Sequence, residues 1–126
     1  KNNNGNVLLT IGSKNLKKFA DEIDNNRLYL RILPFPKLIQ EALDMGIELK
    51  KIIGIQGPFS KEVNKVLIKS YEIKYIVTKN SGVEGGIIEK IEAAEEMEIK
   101  SLILDKPKIN YPNKYDSIKK LITCIK

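Results

Sequence analysis

Five short aliphatic and β-branched runs punctuate the chain, at Val7 to Ile11, Arg27 to Leu33, Lys51 to Ile55, Lys74 to Thr78 and Lys100 to Leu104. They are nearly continuous apolar stretches rather than in-out alternators, the pattern of strands covered on both faces of a sheet. Between them the apolar residues switch to helical spacing. Gly12 and Ser13 open a first helix. A second carries Leu38, Ile39, Ala42 and Leu43 on one stripe, with Pro34 and Pro36 marking its start and Gly46 its end. A third follows "GPFS", with Ser60 as N-cap and Val63, Val66 and Leu67 as its apolar face. A fourth, from about Val83 to Met97, buries Ile87, Ile91 and Ala94 and turns Glu89, Lys90, Glu92, Glu95 and Glu96 outward. A fifth, from about Tyr115 to Ile125, buries Ile118, Leu121, Ile122 and Ile125.

Strand and helix thus alternate five times. This predicts an α/β fold, a doubly wound Rossmann-like or flavodoxin-like sheet of five parallel strands with helices on both faces. The 126 residues suit one domain, and the asparagine-rich residues 1–6 read as a linker or frayed terminus.

Composition narrows the chemistry. Apolar residues make up 42% and charged ones 30%, a globular rather than a disordered balance. The longest apolar runs, such as Ile52 to Ile55, fall far short of the ~20 residues that cross a bilayer, so no membrane partner is expected. No export signal is read at Lys1 to Leu9, and a cytoplasmic location is the expectation. The chain has no histidine and one cysteine, which removes zinc chemistry, Ser-His-Asp catalysis and a histidine base. No metal site is expected. Cys124 reads as a small core residue on the apolar face of the last helix. The net charge of +6 is spread along the chain, and the aromatic residues fall mostly at core-like positions, so nucleic acid is not the expected partner.

In an open parallel sheet, ligands bind beyond the carboxyl ends of the strands. Each unusual stretch of this sequence follows a strand: "TIGSKNL" (10–16), "LPFP" (33–36), "QGPFS" (56–60), "TKNSGVEGG" (78–86) and "DKPKINYP" (105–112). Gly12 and Ser13 can offer backbone N–H groups and a hydroxyl to an anion, or form an ordinary turn with Ser13 as N-cap. Neither G-x-G-x-x-G nor a Walker loop is present. Gly57 allows close approach, and Gln56 places a long amide at a strand tip. Thr78, Lys79, Asn80 and Ser81 gather a cation, an amide and two hydroxyls ahead of Gly82, Gly85 and Gly86, a combination suited to anion capture; the other reading is an exposed flexible loop.

Together and in this order, "LLTIGSKNLKKF", "RLYLRILPFPKLI", "IIGIQGPFSKEVN" and "VTKNSGVEGGIIEKIEAA" resemble the C-terminal half of precorrin-6A reductase and cobalt-precorrin-6A reductase. The resemblance implies NADPH-dependent reduction of a ring double bond of the macrocycle in cobalamin (corrin) biosynthesis. It implies two Rossmann-like domains with NADPH and the tetrapyrrole between them, residues 1–126 being one domain and the N-terminal partner domain lying outside this sequence. The isolated domain would then be inactive. The positions that match the family's motifs, and so are expected to line the cleft, are Gly12, Ser13, Gln56, Gly57, Ser60, Thr78, Lys79, Asn80, Ser81 and Gly82. Lys79, or a water it orients, would assist the proton that accompanies the hydride. Lys14, Arg31, Lys79 and Lys106 are candidate partners for substrate carboxylates, Lys106 standing in a loop that departs from the family's pattern. A non-catalytic flavodoxin-like binding or regulatory module is the alternative.

Overall fold

The computed structural model describes residues 5–12, 15–57, 59–79, 86–104 and 116–125. Strands and helices alternate as β1 (Asn6–Leu9), α1 (Leu16–Glu22), β2 (Leu28–Ile32), α2 (Pro36–Asp44), β3 (Ile52–Gly54), α3 (Lys61–Ser70), β4 (Ile73–Lys79), α4 (Ile87–Glu96), β5 (Lys100–Leu104) and α5 (Asp116–Ile125). The five strands form one all-parallel sheet in the order β3-β2-β1-β4-β5. This is the Rossmann order, and it decides against the flavodoxin-like alternative, in which β1 would sit beside β3.

The pleat of the central strands feeds two cores. On one face Val7, Leu9, Leu28, Leu30, Ile32 and Val77 pack with Leu16 and Phe19 of α1, Ala42 of α2 and Leu121, Ile122 and Ile125 of α5. On the other, Leu8, Ile53, Ile73 and Ile76 pack with Ile68 of α3 and Ala93 and Ala94 of α4. Arg27 fastens the chain ends to the first layer: its Nε donates to the Gly5 carbonyl at 2.8 Å and its Nη2 to that of Ile125 at 3.1 Å. Gly46 sits at φ +95°, the left-handed conformation that ends α2 where the sequence placed its stop.

Three expectations need correction. Val63 and Val66 do not form the buried face of α3. They are exposed, and Asn64 and Ile68 are buried in their place. Lys90 is not an outward residue of α4, since it is 8% exposed and packed under the sheet. Cys124 is exposed, because α5 turns Leu121, Ile122 and Ile125 inward instead. Phe35 departs from the core-like pattern of the aromatics at 55% exposure, while Phe19 is fully buried. No helix among the described residues is long and apolar enough to cross a membrane.

Candidate functional site

β1 and β4 are neighbours although β2 and β3 separate them in sequence, so the winding reverses at this pair. A doubly wound sheet opens a crevice at such a reversal, beyond the strands' carboxyl ends. The segments leaving Leu9 and Lys79 therefore start side by side, a juxtaposition no local pattern contains.

Gly12, in the first of them, has φ +77°, and a Cβ there would meet nothing within 4 Å. Its glycine answers a backbone requirement rather than a close approach. The N-cap position of α1 is Asn15, whose side chain makes no capping bond. Ser13, Lys14, Asn80, Ser81, Gly82 and Lys106 lie outside the described residues.

Gln56 and Gly57 are exposed beyond β3. A Cβ on Gly57 would stand 3.0 Å from the Phe59 ring, which accounts for this glycine by local packing. The Ser60 hydroxyl accepts from the Val63 N–H at 3.1 Å and caps α3, so capping already employs it.

The pleat of β4 separates the two residues expected to act together. Val77 belongs to the α1 and α5 face and Ile76 to the α3 and α4 face, so Thr78 follows Ile76 and Lys79 follows Val77. Lys79 is the half-buried last residue of β4, paired in register with Leu104. Thr78 is fully buried on the other face.

What Thr78 meets there is the polar centre of the domain. Leu9 pairs with Leu30 and with Val77, so Thr10, Arg31 and Thr78 stand abreast one residue further along, at the carboxyl edge. Thr10 Oγ1 donates to the Val77 carbonyl at 2.9 Å. Lys90 Nζ donates to Thr78 Oγ1 at 2.9 Å. Arg31 Nη1 donates to Asn64 Oδ1 at 2.7 Å, and the guanidinium lies 3.9 Å over the Phe59 ring. Burial lowers the Arg31 guanidinium to about 10. Burial first, and the Arg31 charge second, push the Lys90 ammonium down to about 8.

Sequence reasoning missed Lys90 and Asn64, yet both sit on stripes it can be made to show. Ile87, Lys90, Ile91 and Ala94 are spaced i, i+3, i+4, i+7, and Asn64 and Ile68 are one turn apart. Turning Lys90 outward by residue type overrides its position, and Asn64 falls outside the apolar residues from which the α3 stripe is read.

The model of the protein family described as "Precorrin-6x reductase CbiJ/CobK" matches residues 2–126. The chain belongs to this family. It is 41% identical over 114 residues to a cobalt-precorrin-6A reductase of Methanocaldococcus jannaschii, covering 90% of this chain and 45% of that protein. Over 121 residues it is 36% identical to a cobalt-precorrin-6A reductase of Priestia megaterium, covering 94% and 48%. Among solved structures it is similar to the CobK precorrin-6A reductase, with a TM-score of 0.64 and 19% identity over 99% of this chain and 50% of that one, a likeness of fold. The chain spans about half the length of the curated relatives it matches.

An open depression of about 500 Å³ lies at the opposite, amino edge of the sheet, lined by residues that include Asn6, Lys69, Glu72 and Lys74. The carboxyl edge, with the strand reversal and the buried cations, is a better candidate than this hollow.

Proposed function

We propose that this chain is one Rossmann-like half, the C-terminal one, of a reductase that uses NADPH to reduce a ring double bond of precorrin-6A or cobalt-precorrin-6A in corrin biosynthesis. The observation that carries the reading is family membership over residues 2–126 by a chain half as long as its reductase relatives. The missing half then faces the carboxyl edge and closes the cleft.

Two features of the chain support that arrangement. Among the exposed large apolar residues, Leu33, Phe35 and Ile55 follow β2 and β3, Ile103 stands one residue before the end of β5, and Val63 and Ile88 lie in the first turns of α3 and α4. Such a rim suits contact with a second domain or with a hydrophobic macrocycle. Inside it, Arg31 and Lys90 give a positive centre that fits an anionic cofactor or a polycarboxylate substrate.

Reduced nicotinamide supplies the hydride when bound, and the tasks left to the protein are positioning and electrostatics. On this reading Gly12, Gln56, Gly57 and Thr78 shape the cleft wall. Ser13, Asn80, Ser81 and Gly82, outside the described residues, belong to the same proposed cofactor-binding set by their match to the family's motifs. The half-buried Lys79 assists the proton.

The test is to express the complete reading frame that contains this chain and follow NADPH oxidation with cobalt-precorrin-6A and with precorrin-6A. Oxidation that requires one of the two is expected. Oxidation with neither overturns the proposal.

A further inference from the structure

Arg31 and Lys90 are both charged, both buried, at 6% and 8% exposure, and close enough for the first to depress the second. Their hydrogen-bond partners are neutral: the Asn64 amide oxygen at 2.7 Å and the Thr78 hydroxyl at 2.9 Å. No carboxylate forms an ion pair with either one among the described residues. Glu89, next to Lys90 in sequence, makes no ion pair with it among the described residues, and its buried Oε1 has no hydrogen-bond partner. Buried charges in proteins are ordinarily paired, because taking an ion out of water without a counter-charge costs several kcal/mol.

Two like charges held together without an anion lower the stability of the fold, and a purely structural role would be served better by an apolar pair. The donors that remain point to the use. The guanidinium has five N–H donors and the ammonium three, and among the described residues one of each is engaged. Phe59 covers one face of the guanidinium and fixes its plane. Arg31 stands abreast of Thr10 and Thr78 at the carboxyl edge, where the winding of the sheet reverses, and Lys90 reaches the same place from α4 through its bond to Thr78.

We propose that Arg31 and Lys90 together form the receptor for one anionic group, a carboxylate or a phosphate, of a ligand bound at this edge. The assignment rests on the reductase reading for the ligand's identity but not for the binding itself. A phosphorylated cofactor and an acid side chain of the macrocycle present the same chemistry, and the pair accepts either through charge-assisted hydrogen bonds.

The experiment uses the full-length protein and does not depend on turnover. Thermal unfolding is measured with inorganic pyrophosphate, standing for a cofactor phosphate, and with tricarballylate, standing for a polycarboxylate. One of the two is expected to raise the melting temperature by several degrees, and which one does so tells the sources apart. Lys90→Met and Arg31→Met should each weaken that binding roughly 10- to 100-fold, the loss of one charge-assisted hydrogen bond, while Lys90→Arg retains it. In the unaltered protein the Nζ resonance of Lys90 should shift when the same probe is added. Failure of both probes to stabilise the wild type, full retention of the effect in Lys90→Met, or a Lys90 resonance that does not move would each overturn the proposal. Absence of NADPH oxidation would leave these readouts intact and would count against the reductase reading alone.

Discussion

Lys90 is the residue at which charge and position conflict, and titration measures that conflict. Its ammonium is lowered to about 8 in the folded chain from an ordinary value of 10.5. Below about pH 8 both folded and unfolded states hold the proton, and the full cost of burying the charge is present. Between about 8 and 10.5 the folded state releases its proton first, so stability rises with pH through that window. The rise should amount to at most about 3 kcal/mol, the free-energy equivalent of the shift. Lys90→Met should be at least as stable as the wild type near pH 7 and should lack this rise. Urea unfolding of both at pH 7 to 10 checks it, and parallel curves would show that the ammonium is not depressed. Gly12 offers a second test at this scale. Because φ is +77° and the space is open, Gly12→Ala should cost about 1–2 kcal/mol through backbone strain alone. A larger loss would point to a contact the open space does not contain. Lys90 was invisible to sequence reading because residue type was taken to settle exposure; Ile87 and Ala94, one turn away on either side, had already marked its face as inward.

At the scale of elements, α3 shows which interactions set its orientation. Ser60 caps it, and Ser60→Ala should lower stability by about 1 kcal/mol in denaturant unfolding. On its outer side Lys61 and Lys65 both reach Glu96 of α4, at 2.6 and 2.8 Å. The hydrogen bonds from Lys61 and then Lys65 lower the Glu96 carboxyl to about 2. A carboxylate whose folded value is depressed stabilises above its unfolded value and loses that contribution as pH falls through the folded one. The α3–α4 pairing should therefore weaken between about pH 4.5 and 2. Glu96→Gln should remove that acid dependence, and raised salt should reduce the effect in the wild type. The five strands, the stop at Gly46 and the Ser60 cap were legible locally because each depends on a residue and its neighbours within one turn. The rotation of α3 was not. Val63 and Val66 look like a core stripe, but the helix turns Asn64 inward to meet Arg31 from another strand.

Across the whole molecule, the order β3-β2-β1-β4-β5 brings residues 10–12 beside the end of β4, and the exposed Leu33, Phe35 and Ile55 follow the neighbouring strands β2 and β3 at the same edge. If a second domain covers that edge, Phe35→Asp should change the stability of residues 1–126 by less than about 0.5 kcal/mol, as exposed substitutions usually do, yet lower the melting temperature of the full-length protein. Equal effects in the two proteins would argue that the rim faces solvent in both. The sequence by itself determined the α/β class, the five strand–helix pairs, the strand ends that hold the unusual loops and, through four short blocks, the reductase family. These follow from periodicity, capping and local motif, all carried by residues close together in the chain. Only the tertiary structure decided the Rossmann rather than flavodoxin order, the split of Thr78 from Lys79 across the sheet, and the meeting of Arg31, Asn64, Thr78 and Lys90. That meeting joins β2, α3, β4 and α4, because strand register and helix rotation are set by packing between distant segments.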